Sequence, residues 1–153
     1  MIEPGARAPD FTLPDQDGNR VSLSDLRGQT TVLAFYPLDF SPVCTDQLNV
    51  YQEVLAELRD GGVALYGVSV DSAFSHKAFQ RSLGISIPLL SDFHPKGEIA
   101  RAFGVYIDER GYSKRALVMV DPELRVAWTH VSPSPLEIPG PNLIFDALTA
   151  RAA

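Results

Sequence analysis

Cys44 is the single cysteine of this 153-residue chain, and it stands where a helix is expected to begin. Ser41 fits the N-cap position and Pro42 fits the first helical position, which makes Cys44 the third residue of the helix. The backbone N–H groups of a first helical turn are unpaired and create a positive field that favours thiolate over thiol. Thiolate is the nucleophilic form of cysteine, so the spacing predicts a reactive sulfur nucleophile.

The field of a helix end is too weak to produce such a thiolate alone. A thiol of ordinary pKa, about 8.5, is only about 3% thiolate at pH 7, whereas a pKa of about 6 gives roughly 90%. The difference is worth about 3.4 kcal/mol, and helix-end N–H groups supply at most ~2 kcal/mol of it. A further cation beside the sulfur is therefore expected.

The alternative interpretation of Cys44 is inert core filling, which is the usual role of a lone free cysteine on an apolar stripe. Its place behind a proline-capped loop, in an electropositive and accessible position, favours the reactive thiol instead. A single sulfur also excludes an internal disulfide and any CxxC-type redox or zinc pair. Any redox chemistry must therefore use this one thiol.

The pattern around Cys44 predicts alternating strands and helices. Apolar runs rich in β-branched residues precede and follow the helix, which predicts a parallel strand–helix–strand crossover. A later pair of runs is joined by a turn too short for a crossover, so it is expected to form an antiparallel hairpin. The expected elements are a hairpin at 10–14 and 21–23, strands at 31–36, 63–70, 87–90, 115–120 and 126–131, and helices at about 42–60, 75–83, 96–103 and 143–150.

This order favours an α/β fold of the thioredoxin-like type. It predicts a central mixed β-sheet flanked by helices, with an N-terminal β-hairpin extension, in one domain over residues 1–153. In α/β sheets, ligands bind at the carboxyl ends of the strands. The loop from Pro37 to Ser41 joins such a strand end to the helix of Cys44.

The motif Pro37-x-x-x-Ser41-x-x-Cys44 resembles the peroxiredoxin signature Pro-x-x-x-Thr/Ser-x-x-Cys. Further segments that resemble this family, known as AhpC/TSA, occur in the usual order along the chain. They lie at 8–13, 17–18, 23–28, 88–92 and 103–105. The resemblance covers nearly the whole chain and implies a thiol peroxidase on a thioredoxin-like fold.

The resemblance implies a role for each signature residue. Cys44 would be the peroxidatic thiolate that attacks a hydroperoxide and becomes sulfenic acid. Arg115, from a later strand, would supply the cation that holds the thiolate and a peroxide oxygen. Ser41 would hydrogen-bond the peroxide, or serve as a plain N-cap, or both, and Pro37 would shield the sulfur or merely end a strand. Gln47 either orients Arg115 or is a surface amide.

Many peroxiredoxins carry a second, resolving cysteine, which this chain lacks. It is similar to the one-cysteine type, and most similar to the short bacterial alkyl hydroperoxide reductase E-like group. Hydrogen peroxide or alkyl hydroperoxides would be the substrates. The implied reductant is an external thiol, either a low-molecular-weight thiol or a glutaredoxin- or thioredoxin-like protein. No cofactor is implied.

Charge and hydropathy exclude other classes of partner. A formal net charge of −6 disfavours phosphate backbones and anionic lipid, so nucleic acid is not expected to bind. No window is apolar enough for a membrane span, and we expect a cytoplasmic protein. The three histidines lack metal-ligand spacing, so no metal site is expected among His76, His94 and His130.

Three aromatic residues leave two interpretations open. Phe40, Phe93 and Trp128 either fill the core, which is the usual place for such side chains, or form part of a homodimer contact near the site. The acidic positions Glu53 and Glu57 are expected on a solvated helix face.

Two other functions remain open from the sequence. In the first, 41–44 is a degraded CxxC and the chain is a thioredoxin-like monothiol disulfide oxidoreductase. This hypothesis is weakened because the lost sulfur is the first of the pair, which acts as the nucleophile. In the second, the chain is a non-catalytic binding or chaperone-like protein, since a fold alone does not fix a function.

Overall fold

A computed structural model describes residues 1–152 and shows an α/β fold built on a five-stranded sheet. A short 3-10 helix, Leu23–Leu26, follows the N-terminal hairpin. In chain order, the strands and helices are β1 (Thr12–Pro14), β2 (Arg20–Ser22), β3 (Thr30–Phe35), α1 (Pro42–Asp60), β4 (Val63–Ser69), α2 (Ala73–Leu83), β5 (Leu89–Ser91), α3 (Glu98–Ala102), β6 (Tyr106–Ile107), β7 (Tyr112–Ser113), β8 (Ala116–Val120), β9 (Val126–Val131) and α4 (Pro141–Ala152).

The central sheet has the strand order β5-β4-β3-β8-β9. β3, β4 and β5 are parallel to one another, while β8 runs antiparallel to both β3 and β9. The crossover through α1 was expected from the order strand, helix, strand, and the antiparallel β8–β9 hairpin was expected from its short turn. This mixed sheet with flanking helices and an N-terminal hairpin confirms the predicted thioredoxin-like fold class.

Helix α1 begins where its capping residues predict. Ser41 is in the extended conformation of an N-cap, its side chain accepts a hydrogen bond from the Cys44 N–H, and Pro42 opens the helix. One face of the helix packs against the sheet, and the glutamates Glu53 and Glu57 lie exposed on the other, as predicted. The buried residues of α1 are Cys44, Gln47, Leu48, Tyr51, Leu55 and Leu58.

Several element boundaries differ from the expectations. Helix α2 begins at Ala73 because Ser72 caps it by accepting a hydrogen bond from the Ser75 N–H. The small hairpin of β6 and β7 was not anticipated, since two-residue strands have too little periodicity to detect. The structure also places Arg115 just before β8 rather than inside it.

None of the helices within residues 1–152 is long and apolar enough to cross a membrane.

Candidate active site

The sheet topology brings Arg115 to the start of helix α1. β3 and β8 are antiparallel, with Phe35 at the end of β3 paired with Ala116 at the start of β8. The residue before β8 therefore lies at the same sheet edge as the loop that follows β3. That loop leads directly to Cys44, so the edge collects residues that are 71 positions apart in the chain.

Arg115 contacts the sulfur of Cys44. Its Nη1 lies 3.3 Å from Cys44 Sγ, within hydrogen-bond range for sulfur. The Cys44 N–H donates to Ser41 Oγ at 3.3 Å, so the thiol also lies in the first turn of the helix, as predicted. Both partners are shielded from solvent, since Cys44 is 0% and Arg115 3% exposed. The cation that the energetics required is thus present beside the sulfur.

Arg115 is held by neutral acceptors. Nη1 also donates to Gln47 Oε1 at 2.7 Å, and Nε donates to the Pro135 carbonyl at 3.0 Å. Within residues 1–152 the guanidinium pairs with no carboxylate, so its positive charge is not neutralised by a neighbour. At 3.3 Å and an effective dielectric constant of about 20, a thiolate and a guanidinium attract by about 5 kcal/mol. The guanidinium is therefore placed to stabilise negative charge on the sulfur.

A tyrosine extends the hydrogen-bond chain away from the sulfur. Gln47 Nε2 donates to the Tyr51 hydroxyl at 3.1 Å, and that hydroxyl donates to the Pro139 carbonyl at 2.6 Å. Gln47 is 0% exposed, which settles its open interpretation in favour of a buried contact with Arg115. Burial raises the pKa of Tyr51 to about 12. Tyr51 was not expected to be part of the site, because its position on the apolar stripe of α1 predicts core packing.

The other two residues of the motif, Pro37 and Ser41, belong to the loop between β3 and α1. Pro37 is buried at the end of β3, and Ser41 is half-buried. Because Ser41 Oγ accepts from the Cys44 N–H, its own O–H remains available to donate. The expectation that the sulfur is accessible is wrong. Cys44 is 0% exposed and lies within the core, with Arg115 against its sulfur.

A second buried polar cluster fixes the loop before Cys44. His76 Nδ1 lies 2.8 Å from Asp39 Oδ2, and His76 Nε2 lies 2.9 Å from the Leu90 carbonyl. The Tyr36 hydroxyl donates to the other oxygen of Asp39 at 2.6 Å. One nitrogen of the His76 ring thus lies beside a carboxylate and the other beside a backbone carbonyl. The cluster therefore anchors the loop through Asp39.

Two of the three aromatic residues lie outside the core. Phe40 is 54% and Phe93 56% exposed, so core filling is the wrong interpretation for both. Phe40 has φ of 68°, and its ring packs against that of Phe79 at an angle of 52°, with 4.9 Å between the ring centroids. Trp128 is half-buried on β9 and packs against the core beneath α1 and α4. Phe40 therefore presents apolar surface on the loop between β3 and α1.

A thioredoxin-like sheet with a lone thiol at a helix start, paired to an arginine that directly precedes β8, defines a class of thiol-based redox proteins. The family model described as AhpC/TSA matches residues 4–129 of the chain. The chain belongs to this family, the peroxiredoxins, and is a thiol-dependent peroxidase. The likeness to this family, inferred from the motifs, is confirmed.

Individual relatives agree with this assignment. The chain is 35% identical over 154 residues to alkyl hydroperoxide reductase E of Mycobacterium tuberculosis, and the alignment covers 100% of each chain. The crystal structure of Enterococcus faecalis AhpC is similar with a TM-score of 0.90 and 30% identity, over 99% of this chain and 94% of that one. The bacterioferritin comigratory protein of Xanthomonas campestris, described with alkyl peroxide reduction activity, is similar with a TM-score of 0.85 and 26% identity, over 99% of this chain and 100% of that one.

Proposed function

We propose that Cys44 is the peroxidatic residue and that its thiolate attacks the terminal oxygen of a hydroperoxide. A sulfur–oxygen bond forms as the oxygen–oxygen bond breaks, so sulfur is oxidised to sulfenic acid and the peroxide is reduced. The departing oxygen takes up a proton and leaves as water or an alcohol. The contact of 3.3 Å between Arg115 Nη1 and Cys44 Sγ carries this proposal, because it supplies the charge that a stable thiolate needs.

The other motif residues bind and shield the peroxide. The Ser41 O–H donates to a peroxide oxygen while its own oxygen still caps the helix. Nη2 of Arg115, which makes no hydrogen bond within residues 1–152, donates to the oxygen that develops negative charge. Pro37 packs beside the sulfur and keeps bulk water from it. Hydrogen peroxide and alkyl hydroperoxides are the substrates.

Because the sulfur is fully covered, the peroxide needs a local opening to reach it. Arg115 lines a surface cavity together with Ser132 and Pro133, so the site meets solvent on this side. A small movement of residues 132–135 would admit two bonded oxygens while Asp39 stays anchored. Gating of this kind is ordinary for enzyme loops.

Recycling uses an external thiol, because the chain has no second cysteine. The outside thiol attacks the sulfenic sulfur and releases water, which leaves a mixed disulfide on Cys44. A second thiol then attacks the outer sulfur and returns Cys44 as thiolate. The reductant is a low-molecular-weight thiol or a glutaredoxin- or thioredoxin-like protein, which makes this a one-cysteine mechanism.

We propose further that the chain associates as a homodimer. Leu38 and Phe40 follow β3, Phe74 follows β4 and Phe93 follows β5, and all four are exposed. These strands are parallel neighbours, so the four side chains lie along one sheet edge and form an apolar surface that association would cover. Light scattering is expected to give the mass of a dimer, reduced toward a monomer in Phe40→Ser. A monomeric wild-type protein would contradict this part.

The test of the proposal is a single-turnover reaction. Reduced protein is mixed with stoichiometric hydrogen peroxide, quenched with excess alkylating reagent at set times, and analysed by mass spectrometry. We expect the free thiol to disappear orders of magnitude faster than that of free cysteine, with one added oxygen on Cys44. Cys44→Ser should gain none. Oxidation no faster than that of free cysteine would refute the proposal.

A further inference from the structure

The hydroxyl of Tyr51 lies between a backbone carbonyl and a side-chain amide. It is 2.6 Å from the Pro139 carbonyl and 3.1 Å from Gln47 Nε2. A carbonyl only accepts, so the phenolic proton is committed to Pro139 and the phenolic oxygen must accept from its other neighbour. The amide nitrogen of Gln47 is therefore required on the Tyr51 side.

This requirement determines what Gln47 presents to Arg115. With its nitrogen on the Tyr51 side, the amide directs Oε1 at Arg115 Nη1, 2.7 Å away. The reverse orientation would set an amide N–H₂ against the guanidinium, two groups that can only donate. Gln47 is fully buried, so water cannot compensate for such a mismatch. The direction of donation thus runs without a break from the arginine to the Pro139 carbonyl.

We propose that Tyr51 is a positioning residue, whose hydroxyl fixes the Gln47 amide in the orientation that holds Arg115. This inference rests on the proposed function, because the same Nη1 donates to the reacting sulfur. Tyr51 does not touch the sulfur and acts only through its neighbours. Its high pKa, about 12, keeps the phenolic proton in place at any working pH. The segment that carries Pro139 is thereby coupled to the geometry at Cys44.

The first test removes only the hydroxyl. In Tyr51→Phe the amide loses one of the two partners that set its orientation, and we expect oxidation of Cys44 by hydrogen peroxide to slow about five-fold, the factor for one net hydrogen bond. The ultraviolet absorbance of the Cys44 thiolate should also appear at higher pH. Tyr66→Phe is the matched control, since Tyr66 lies on β4 and its hydroxyl makes no hydrogen bond within residues 1–152. It should match wild type.

A second experiment, in the Gln47→Glu variant, distinguishes a positioning role of Tyr51 from a packing role. A carboxylate at position 47 has two equivalent acceptor oxygens, so Gln47→Glu leaves no amide orientation to be set. Within the Gln47→Glu protein, adding Tyr51→Phe should change the oxidation rate less than about two-fold. An equal five-fold loss in both backgrounds would show that Tyr51 acts only by packing, and would overturn the inference.

Failure of the inference differs from failure of the proposed function. If wild type reacts rapidly with peroxide while Tyr51→Phe matches it in rate and in thiolate absorbance, the positioning role is wrong and the peroxidase stands. If wild type reacts no faster than free cysteine, the peroxidase is wrong. The thiolate absorbance, which needs no turnover, still tests the inference in that case. If Tyr51→Phe moves the pH at which this absorbance appears when residue 47 is Gln, but not when it is Glu, the positioning role is supported. If Tyr51→Phe does not move that pH, the positioning role is refuted.

Discussion

Replacing Arg115 by methionine should slow peroxide reduction more than any other single change outside Cys44. Methionine fills a similar volume but carries no charge, so the thiolate loses both a cation at 3.3 Å and a hydrogen bond. The attraction is about 5 kcal/mol at an effective dielectric constant of about 20, and relaxation of the site will recover part of it. A net loss of about 3–5 kcal/mol corresponds to a rate lowered roughly a hundred- to a few thousand-fold.

The assay is the single-turnover oxidation of Cys44 by hydrogen peroxide, followed at several pH values. Arg101→Met is the control, because Arg101 pairs with Asp108 on the surface and 57% of its side chain is exposed. Arg115→Lys keeps a positive charge but lacks the planar guanidinium that donates to Cys44, Gln47 and Pro135 together. Its oxidation rate should fall between those of wild type and Arg115→Met. If Arg115→Met folds and still oxidises within about three-fold of wild type, the electrostatic reasoning is refuted.

Three further predictions follow from individual contacts. Ser41→Ala removes the helix cap and a peroxide donor, so it should lose about 1 kcal/mol of stability in urea and slow oxidation by about ten-fold, whereas Ser41→Thr should retain both; an unchanged oxidation rate would remove Ser41 from the site. His76→Phe removes one hydrogen bond to the buried Asp39 carboxylate and should cost about 1.5–3 kcal/mol in the same urea experiment, and a loss below about 1 kcal/mol would contradict the anchoring role. The pKa of Tyr51 is about 12 in the fold against the ordinary 10.0, so its contribution to the free energy of unfolding is complete below pH 10 and is lost as pH rises through 12. Between pH 10 and 12 the Tyr51→Phe protein should therefore lose about 2–3 kcal/mol less stability than wild type. Identical plots of unfolding free energy against pH for the two proteins would disprove the shift.

The residues that could be found from the sequence are those whose position in one element determines their chemistry. Ser41, Pro42 and Cys44 follow the rules of a helix start, and the structure places them as expected. The need for a cation followed from the thiol alone. Its identity as Arg115 came from the family resemblance, because only the pairing of β3 with β8 brings that residue to the helix.

The features that were missed depend on paths through loops. Tyr51 occupies an apolar helical stripe, and nothing in its spacing distinguishes a packed ring from one whose hydroxyl reaches a carbonyl. That carbonyl belongs to Pro139, in a proline-rich segment without periodicity, so the contact could not be predicted. The exposure of Phe40 likewise follows from the course of the loop, which Asp39 and His76 fix through contacts distant in sequence.

The most direct measurement is the ultraviolet absorbance of the Cys44 thiolate as a function of pH, taken on reduced wild-type protein with the Cys44→Ser spectrum subtracted. If the guanidinium and the helix end hold the sulfur as an anion, most of the thiolate signal is present by pH 7. A signal that appears only near pH 8.5 or above, as in a free thiol, would show that the guanidinium and the helix end do not hold the sulfur as an anion.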